Sequence, residues 1–340
     1  CYRQPGKNDI NREDTILFEL MSPDSTHILF ENKLIPTRDL NIFTYMYFYN
    51  GGGVGTADLN NDGLMDIVFT GNQVNTELYL NKGNLKFEAI GVRAGLTHLG
   101  WSTGVNFIDI NEDGYLDIYI TEVNNGGVLK GKNRLYVCTG LDSQGYPAYR
   151  EEASKYGIHF SGYGTHSAFF DFDRDGDLDL YLLNHSEHKN GTFGERKVHL
   201  KQYHPTAGDR LYKNDHGMYR DITKESGIYS NALGYGLGIK VSDINMDGWP
   251  DVYIGNDFHE NDYYYLNNGN GSFTESGALH FKHYSRFSMG NDVADYNNDG
   301  QLDLTTVDML PPDEKILKTY GSGENPDIYK LKLEMNGYQQ

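Results

Sequence analysis

Short apolar runs with an alternating pattern recur along the chain, each closed by Gly, Asn or Asp. One set reads "GGGVGTADLN", "WSTGVNFIDIN", "GTHSAFFDFD", "GYGLGIKVSDIN" and "FSMGNDVADYN". Each is followed, after a tight turn, by "DIVFT", "DIYIT", "DLYLL", "DVYIG" or "DLTTV". Runs of this length, rich in β-branched and aromatic residues and bounded by turn formers, predict strands on both sides of the turn. A second pair follows in four copies, over 77–96, 134–158, 210–228 and 263–279. It comprises a Tyr-bearing strand, an Asn/Gly turn, a second strand with an aromatic, and a small-residue turn. Two hairpins give about four strands in roughly 50 residues, the size of one propeller blade. One such sheet cannot bury both faces, whereas sheets stacked radially about an axis can. The pattern therefore predicts an all-β chain folded as a β-propeller over 26–340, preceded by a tether over 1–25.

The turn between the first two strands of each copy is itself a repeat, D-x-[DN]-x-D-G-x-x-D. Its copies begin at Asp58, Asp109, Asp171, Asp243 and Asp295, 51, 62, 72 and 52 residues apart. The wider gaps hold inserts. The longest, Asn184 to Asp209, is polar, carries His185, His188 and His204, and is expected to project as a loop with exposed histidines.

Five acids in nine residues, as in "DFDRDGDLD", should repel one another unless something positive sits among them. Calcium takes six to eight oxygen ligands, and a loop of this spacing can supply them. Side chains at position 1 (Asp58, Asp109, Asp171, Asp243, Asp295), position 3 (Asn60, Asn111, Asp173, Asn245, Asn297), position 5 (Asp62, Asp113, Asp175, Asp247, Asp299) and position 9 (Asp66, Asp117, Asp179, Asp251, Asp303) are the candidate ligands. Position 7 would ligate through its carbonyl, and its side chain varies accordingly: Leu64, Tyr115, Asp177, Trp249, Gln301. Position 6 is Gly throughout, as a sharp turn with positive φ demands.

Three simpler readings compete. A lone Asp-Gly pair is a good hairpin turn, but that does not explain the oxygen-bearing residues at positions 1, 3 and 9 in every copy. The helix–loop–helix calcium site needs Glu at position 12; here that position holds Phe69, Ile120, Leu182, Ile254 and Thr306. A catalytic acid pair would be singular, not fivefold.

Composition agrees with a turn-rich β-fold: 27 Tyr, 40 Gly and only 9 Pro in 340 residues. The net charge of −19 argues against nucleic acid or anionic lipid as a direct partner. About five bound Ca²⁺ would bring it to about −9. No apolar run approaches the roughly 18 residues of a membrane span. The two cysteines, Cys1 and Cys138, suggest no disulfide framework, and Cys138 is expected to be buried within a strand. Trp101 and Trp249 could stack on a sugar; Trp249, at loop position 7, is expected to pack against its loop instead. Nucleophile-elbow, zinc-protease and phosphate-loop motifs are not found in the sequence.

The loops and their flanks resemble the FG-GAP/VCBS-type repeats of calcium-binding β-propellers, as in the integrin α-subunit head. "YFYNGGGVGTADLNNDGLMDIVFTGN", "LYLNKGNLKFE" and "SMGNDVADYNNDGQLDLTTVDMLPPDE" carry a nearer resemblance to bacterial ASPIC/UnbV-type VCBS proteins. The resemblance covers roughly 26–335. It implies seven blades, of which about five are readable here, and a secreted or surface-exposed protein that binds other macromolecules. The ending "KLKLEMNGYQQ" lacks the hairpin expected after a fifth loop.

The start "CYRQPGKNDINRED" resembles a mature bacterial lipoprotein, with lipid on Cys1 and a soluble tether behind it. Together these readings predict a non-enzymatic, calcium-stabilised lipoprotein on a bacterial outer membrane. It would serve as a protein-binding scaffold subunit, with a SusC/SusD-type complex as the expected partner by analogy. The alternative is a glycan-binding or adhesion module. A propeller hydrolase or lyase is the weaker third reading: it needs an acid/base pair outside the loops, and the charges there, such as Glu122 or the Glu187/His188 pair, have no shared geometry visible in sequence.

Overall fold

The computed structural model describes residues 18–187, 195–258 and 260–308, together with 314, 315 and 330. Eighteen strands lie among them, and they follow one rule. The first sheet pairs β1 (Val54–Ala57), β2 (Asp66–Phe69), β3 (Glu77–Asn81) and β4 (Phe87–Ala89) in that order. The second pairs β5 (Ser102–Ile108), β6 (Asp117–Glu122), β7 (Arg134–Leu141) and β8 (Pro147–Glu151). The third contains β9 (Gly164–Phe170), β10 (Asp179–Asn184), β11 (Arg210–Asp215) and β12 (Met218–Asp221). The fourth contains β13 (Gly236–Ser242), β14 (Asp251–Asn256), β15 (Tyr263–Asn267) and β16 (Phe273–Glu275). A hairpin of β17 (Ser288–Ala294) and β18 (Asp303–Asp308) follows. All pairings are antiparallel meanders, so the four sheets are four propeller blades and the hairpin repeats the inner half of another.

The sheets pack as blades do. First strands neighbour one another in chain order: β1 with β5, β5 with β9, β9 with β13, and β13 with β17. Threonines bond across these seams. Thr70 Oγ1 donates to the Thr103 carbonyl at 3.1 Å, Thr103 Oγ1 to that of Gly164 at 2.9 Å, and Thr165 Oγ1 to that of Gly236 at 2.8 Å. The backbones come so close that a Cβ on Gly104 would sit 2.8 Å from the Thr165 oxygen. Between consecutive blades lie three apolar clusters, centred on Leu78, Leu80 and Ile118, on Leu135, Leu180 and Leu182, and on Leu211, Val252 and Ile254. Each fully buried aliphatic side chain contributes roughly 1.5–3 kcal/mol.

A fourth cluster was not legible in the strand pattern. Leu40, Tyr45, Tyr47 and Phe48, from a segment without strands, pack on Trp101, Val123, Leu129 and Tyr235. This segment thus lies across the second, third and fourth blades. Trp101 is buried there and cannot offer a stacking face to a sugar.

The long insert does not simply project. Its start, Asn184, closes β10, and His185 and Ser186 are buried. Arg196 forks onto the buried Glu260, with Nη2–Oε1 at 2.6 Å and Nε–Oε2 at 2.9 Å. Ala207, Asp209 and Arg210 are buried at its end. The expectation of exposed histidines therefore fails for His185, whose ring is enclosed by Tyr45, Tyr47 and Tyr163. His204 is half-buried and its Nδ1 accepts the Ala207 N–H at 3.1 Å. His188, Cys1, most of the proposed tether and all of the C-terminal "KLKLEMNGYQQ" but Lys330 lie outside the described residues. Cys138 is buried in β7, as expected.

Candidate cation-binding loops

Each acidic repeat joins the first two strands of a sheet, and all five share one hydrogen-bond frame. The position-1 Asp takes the N–H of position 5 on Oδ1 and that of Gly at position 6 on Oδ2. For Asp58 these bonds are 3.1 and 2.8 Å, for Asp109 3.0 and 2.8 Å, and for Asp171 3.1 and 3.0 Å. For Asp243 they are 2.9 and 2.8 Å, and for Asp295 3.0 and 2.8 Å. The position-5 Asp accepts the N–H of position 7 at 2.8–3.0 Å in all five. Position 6 has φ between 84° and 97°, which glycine adopts without strain.

Position 4 was not foreseen. Asn61, Glu112, Arg174, Met246 and Asn298 all have φ of 57–61°, the left-handed region that side chains other than Asn and Asp resist. This second reversal, two residues before the glycine, is what folds the loop over its own carboxylates.

Position 9 opens the second strand and points inward. Asp66, Asp117, Asp179 and Asp251 are fully buried. Each accepts the N–H of position 2: Leu59 at 2.9 Å, Ile110 at 3.0 Å, Phe172 at 3.1 Å and Ile244 at 3.2 Å. Each also accepts an N–H from the third strand: Asn81 at 2.8 Å, Cys138 at 2.7 Å, Asn214 at 2.8 Å and Asn267 at 2.9 Å. Asp303 keeps the first of these bonds, from Tyr296 at 3.1 Å. Position 9 therefore ties loop, second strand and third strand together. Burial pushes the Asp66 and Asp117 carboxyls up to about 6 and that of Asp179 up to about 7, against the two backbone donors, and neighbouring loop carboxylates add to the rise.

The donor set is all oxygen, which suits a hard cation. In the third loop, carboxylate oxygens of Asp171, Asp173 and Asp179 lie within 4.8 Å of one another, and Asp173 Oδ1 is buried with no hydrogen-bond partner. A buried acceptor with nothing to accept from costs roughly 1–3 kcal/mol, and a cation among these oxygens would remove that cost. The residues fit such an ion.

The other candidates resolve otherwise. Trp249 faces its own blade at Gly269 and lies under the Arg174 guanidinium of the preceding loop, 5.3 Å from the ring centroid. Asn61 Nδ2 likewise bonds the Gly114 carbonyl of the next loop at 3.0 Å, so these loops touch their neighbours. Glu122 is buried and engaged by Arg134 Nε and His98 Nε2, both at 3.2 Å. Glu187 pairs with His204 at 3.4 Å.

Sequence reading also missed a second polar pin. Tyr119, Tyr181 and Tyr253, two residues beyond position 9, reach Asn133, Asp209 and Asp262, which directly precede the third strands, at 3.0, 2.9 and 2.7 Å. Asp209 and Asp262 accept from their tyrosines, whereas Asn133 Nδ2 donates to the Tyr119 hydroxyl, and a side-chain oxygen of each of the three takes the N–H of Glu122, Asn184 or Asn256 at 3.0, 2.9 and 2.8 Å. The available signal was the Asn or Asp heading "NRLY", "DRLY" and "DYYY".

Comparison with known proteins agrees with this geometry. The FG-GAP-like repeat matches residues 58–120 and 243–306, each span running from one position-1 Asp through the next acidic loop into the strand behind it. Cartilage acidic protein 1 of Xenopus tropicalis is 25% identical over 301 residues, covering 84% of this chain and 42% of that protein. The human protein of that name is also 25% identical, with 83% and 43% covered. Integrin alpha-PS3 of Drosophila melanogaster is 26% identical over 202 residues, 52% of this chain and 18% of that one. The chain thus spans less than half the length of these relatives. Blades and repeats together define the class, a β-propeller built on FG-GAP-like repeats.

Proposed function

We propose that this is a calcium-stabilised propeller that binds a macromolecular partner and catalyses nothing. The observation that carries the reading is the fivefold loop frame: carboxylates at positions 1, 5 and 9, the same backbone donors to positions 1 and 5, and an oxygen-bearing side chain at position 3 in every copy. Positions 1, 3, 5 and 9 would hold each ion by side chain and position 7 by its carbonyl. Bound calcium would supply a fixed double positive charge that offsets the crowded carboxylates and locks each hairpin between its blades. The likeness to integrin α chains and to cartilage acidic protein 1 supports a binding role at a surface.

We further propose a seven-bladed ring of ASPIC/UnbV type, anchored through lipid on Cys1 to a bacterial outer membrane and serving a SusC/SusD-type or other surface complex. Thermal unfolding in calcium and in chelator tests the metal: five sites each at a hundredfold excess over Kd would contribute about 2.7 kcal/mol apiece. An unchanged melting temperature overturns it. Intact mass of natively produced protein tests the lipid. Pull-down in mild detergent tests the partner, with recovery of a lone monomer as the contrary result. Hits on a glycan array, abolished by chelator, would replace the protein-binding reading with the glycan-binding one.

A further inference from the structure

We propose that the third loop carries its own counter-cation, the Lys213 ammonium, and that this lysine makes it the weakest of the five loops for a divalent ion. The proposal rests on the calcium reading above. In the other four loops position 3 is Asn, and its amide N–H donates to the position-5 carboxylate. Asn60 meets Asp62 at 3.0 Å, Asn111 meets Asp113 at 2.9 Å, Asn245 meets Asp247 at 2.8 Å and Asn297 meets Asp299 at 3.1 Å. Asp173 has no proton to give at that point. Lys213 Nζ takes over the bridge, pairing with Asp173 Oδ2 and with Asp175 Oδ2, the latter at 3.0 Å.

Lys213 is as unusual among its equivalents as Asp173 is. It stands one residue before the N–H that caps position 9, that of Asn214. The same station in the other four-stranded sheets holds Leu80, Val137 and Leu266, before Asn81, Cys138 and Asn267. Two departures from the repeat, an acid for an amide and a lysine for an apolar residue, fall in one blade and touch each other. The charge balance explains the pairing. The sibling loops bring three carboxylates through positions 1, 3, 5 and 9. The third brings four and one ammonium, which restores the same net value.

An ion held by Asp173 and Asp175 would sit within a few ångströms of that ammonium and be repelled by it. In the ion-free state, by contrast, the ammonium already relieves part of the carboxylate crowding. This blade is therefore the least dependent on calcium and the last to fill.

Backbone hydrogen exchange of the 340-residue chain, followed loop by loop against free calcium, tests this. In the wild type, the peptide over 171–184 should shift its protection at higher free calcium than those over 58–70, 109–122 and 243–256. Lys213→Gln keeps a donor, removes the charge, and should lower that midpoint about tenfold or more. The pair Asp173→Asn with Lys213→Leu recreates the sibling arrangement and should bring the midpoint to theirs, whatever Lys213→Gln alone does to folding. If the sibling loops respond to calcium but neither variant moves the third, the proposal is overturned and the calcium reading stands. If no loop responds, both fall.

Discussion

The Tyr181 hydroxyl donates a 2.9 Å hydrogen bond to Asp209, a buried carboxylate at the head of β11 that also caps the Asn184 N–H. Blade two makes the corresponding joint with Asn133, whose Oδ1 caps the Glu122 N–H and whose Nδ2 donates to the Tyr119 hydroxyl. The place thus takes an acid or an amide, the tyrosine hydroxyl donating to the acid and accepting from the amide.

That comparison fixes a pH dependence. Burial pushes the Asp209 carboxyl up to about 7, against its hydrogen-bond donors and the Arg210 charge. In the unfolded chain it releases its proton near 4. Between these values the folded state holds a proton that the unfolded state has lost, so stability from this group is present at acid pH and is lost as pH rises from about 4 to about 7. The full loss is of the order of 4 kcal/mol. Asp209→Asn should be near neutral at about pH 4 and stabilising at pH 8, read from denaturant unfolding at both. Equal effects at the two pH values would contradict the account.

His185 gives the opposite slope. Its Nδ1–H faces the Ser186 carbonyl at 2.7 Å and its Nε2 faces the Tyr45 hydroxyl at 3.2 Å, an arrangement that suits the neutral ring. Burial holds its conjugate acid down to about 4. The unfolded chain therefore takes up a proton near 6.5 that the folded chain refuses, and stability is lost as pH falls from about 6.5 to about 4, by roughly 3 kcal/mol. His185→Gln should flatten this acid limb while lowering the melting temperature at pH 7. A variant with the wild-type slope would show that another group carries it.

The strands and acidic loops were legible because their signals are local: period two, a glycine at position 6, oxygens at fixed offsets. The left-handed position 4 left no such mark, since Glu112, Arg174 and Met246 share no chemistry that announces it. The tyrosine pin was hidden for another reason. Its partners lie 14, 28 and 9 residues apart, so no fixed spacing exposes it. His185 and Trp101 were misjudged because the segment that buries them, around Tyr45–Phe48, contacts them only through the tertiary fold.

The strain at position 4 predicts a gain of stability. Met246 is exposed, so little packing is lost by replacing it, while its φ of 61° is costly for a side chain of that shape. Asn already occupies this place in Asn61 and Asn298. Met246→Asn should raise stability by several tenths to about 1 kcal/mol, read as a rise in melting temperature in calcium and in chelator alike. A fall would mean that Met246 makes a contact worth more than the backbone strain.

Position 5 separates cation binding from folding. Asp62 accepts the Leu64 N–H at 2.9 Å on Oδ1 and the Asn60 amide at 3.0 Å on Oδ2. Asp62→Asn keeps an oxygen for one of these bonds but removes a charge from a loop that otherwise holds three carboxylates. In chelator the lost repulsion offsets the weakened bond, so the melting temperature should change little. In calcium the variant loses a charged ligand, and its melting temperature should fall below the wild type. Leu64→Ala, which alters only the side chain at position 7, should leave the calcium-dependent increment intact because that position would ligate by its carbonyl. Differential scanning calorimetry of the three proteins, with and without chelator, reads both effects. Equal losses for Asp62→Asn in the two conditions would make this carboxylate a strut of the hairpin and remove it from the ligand set.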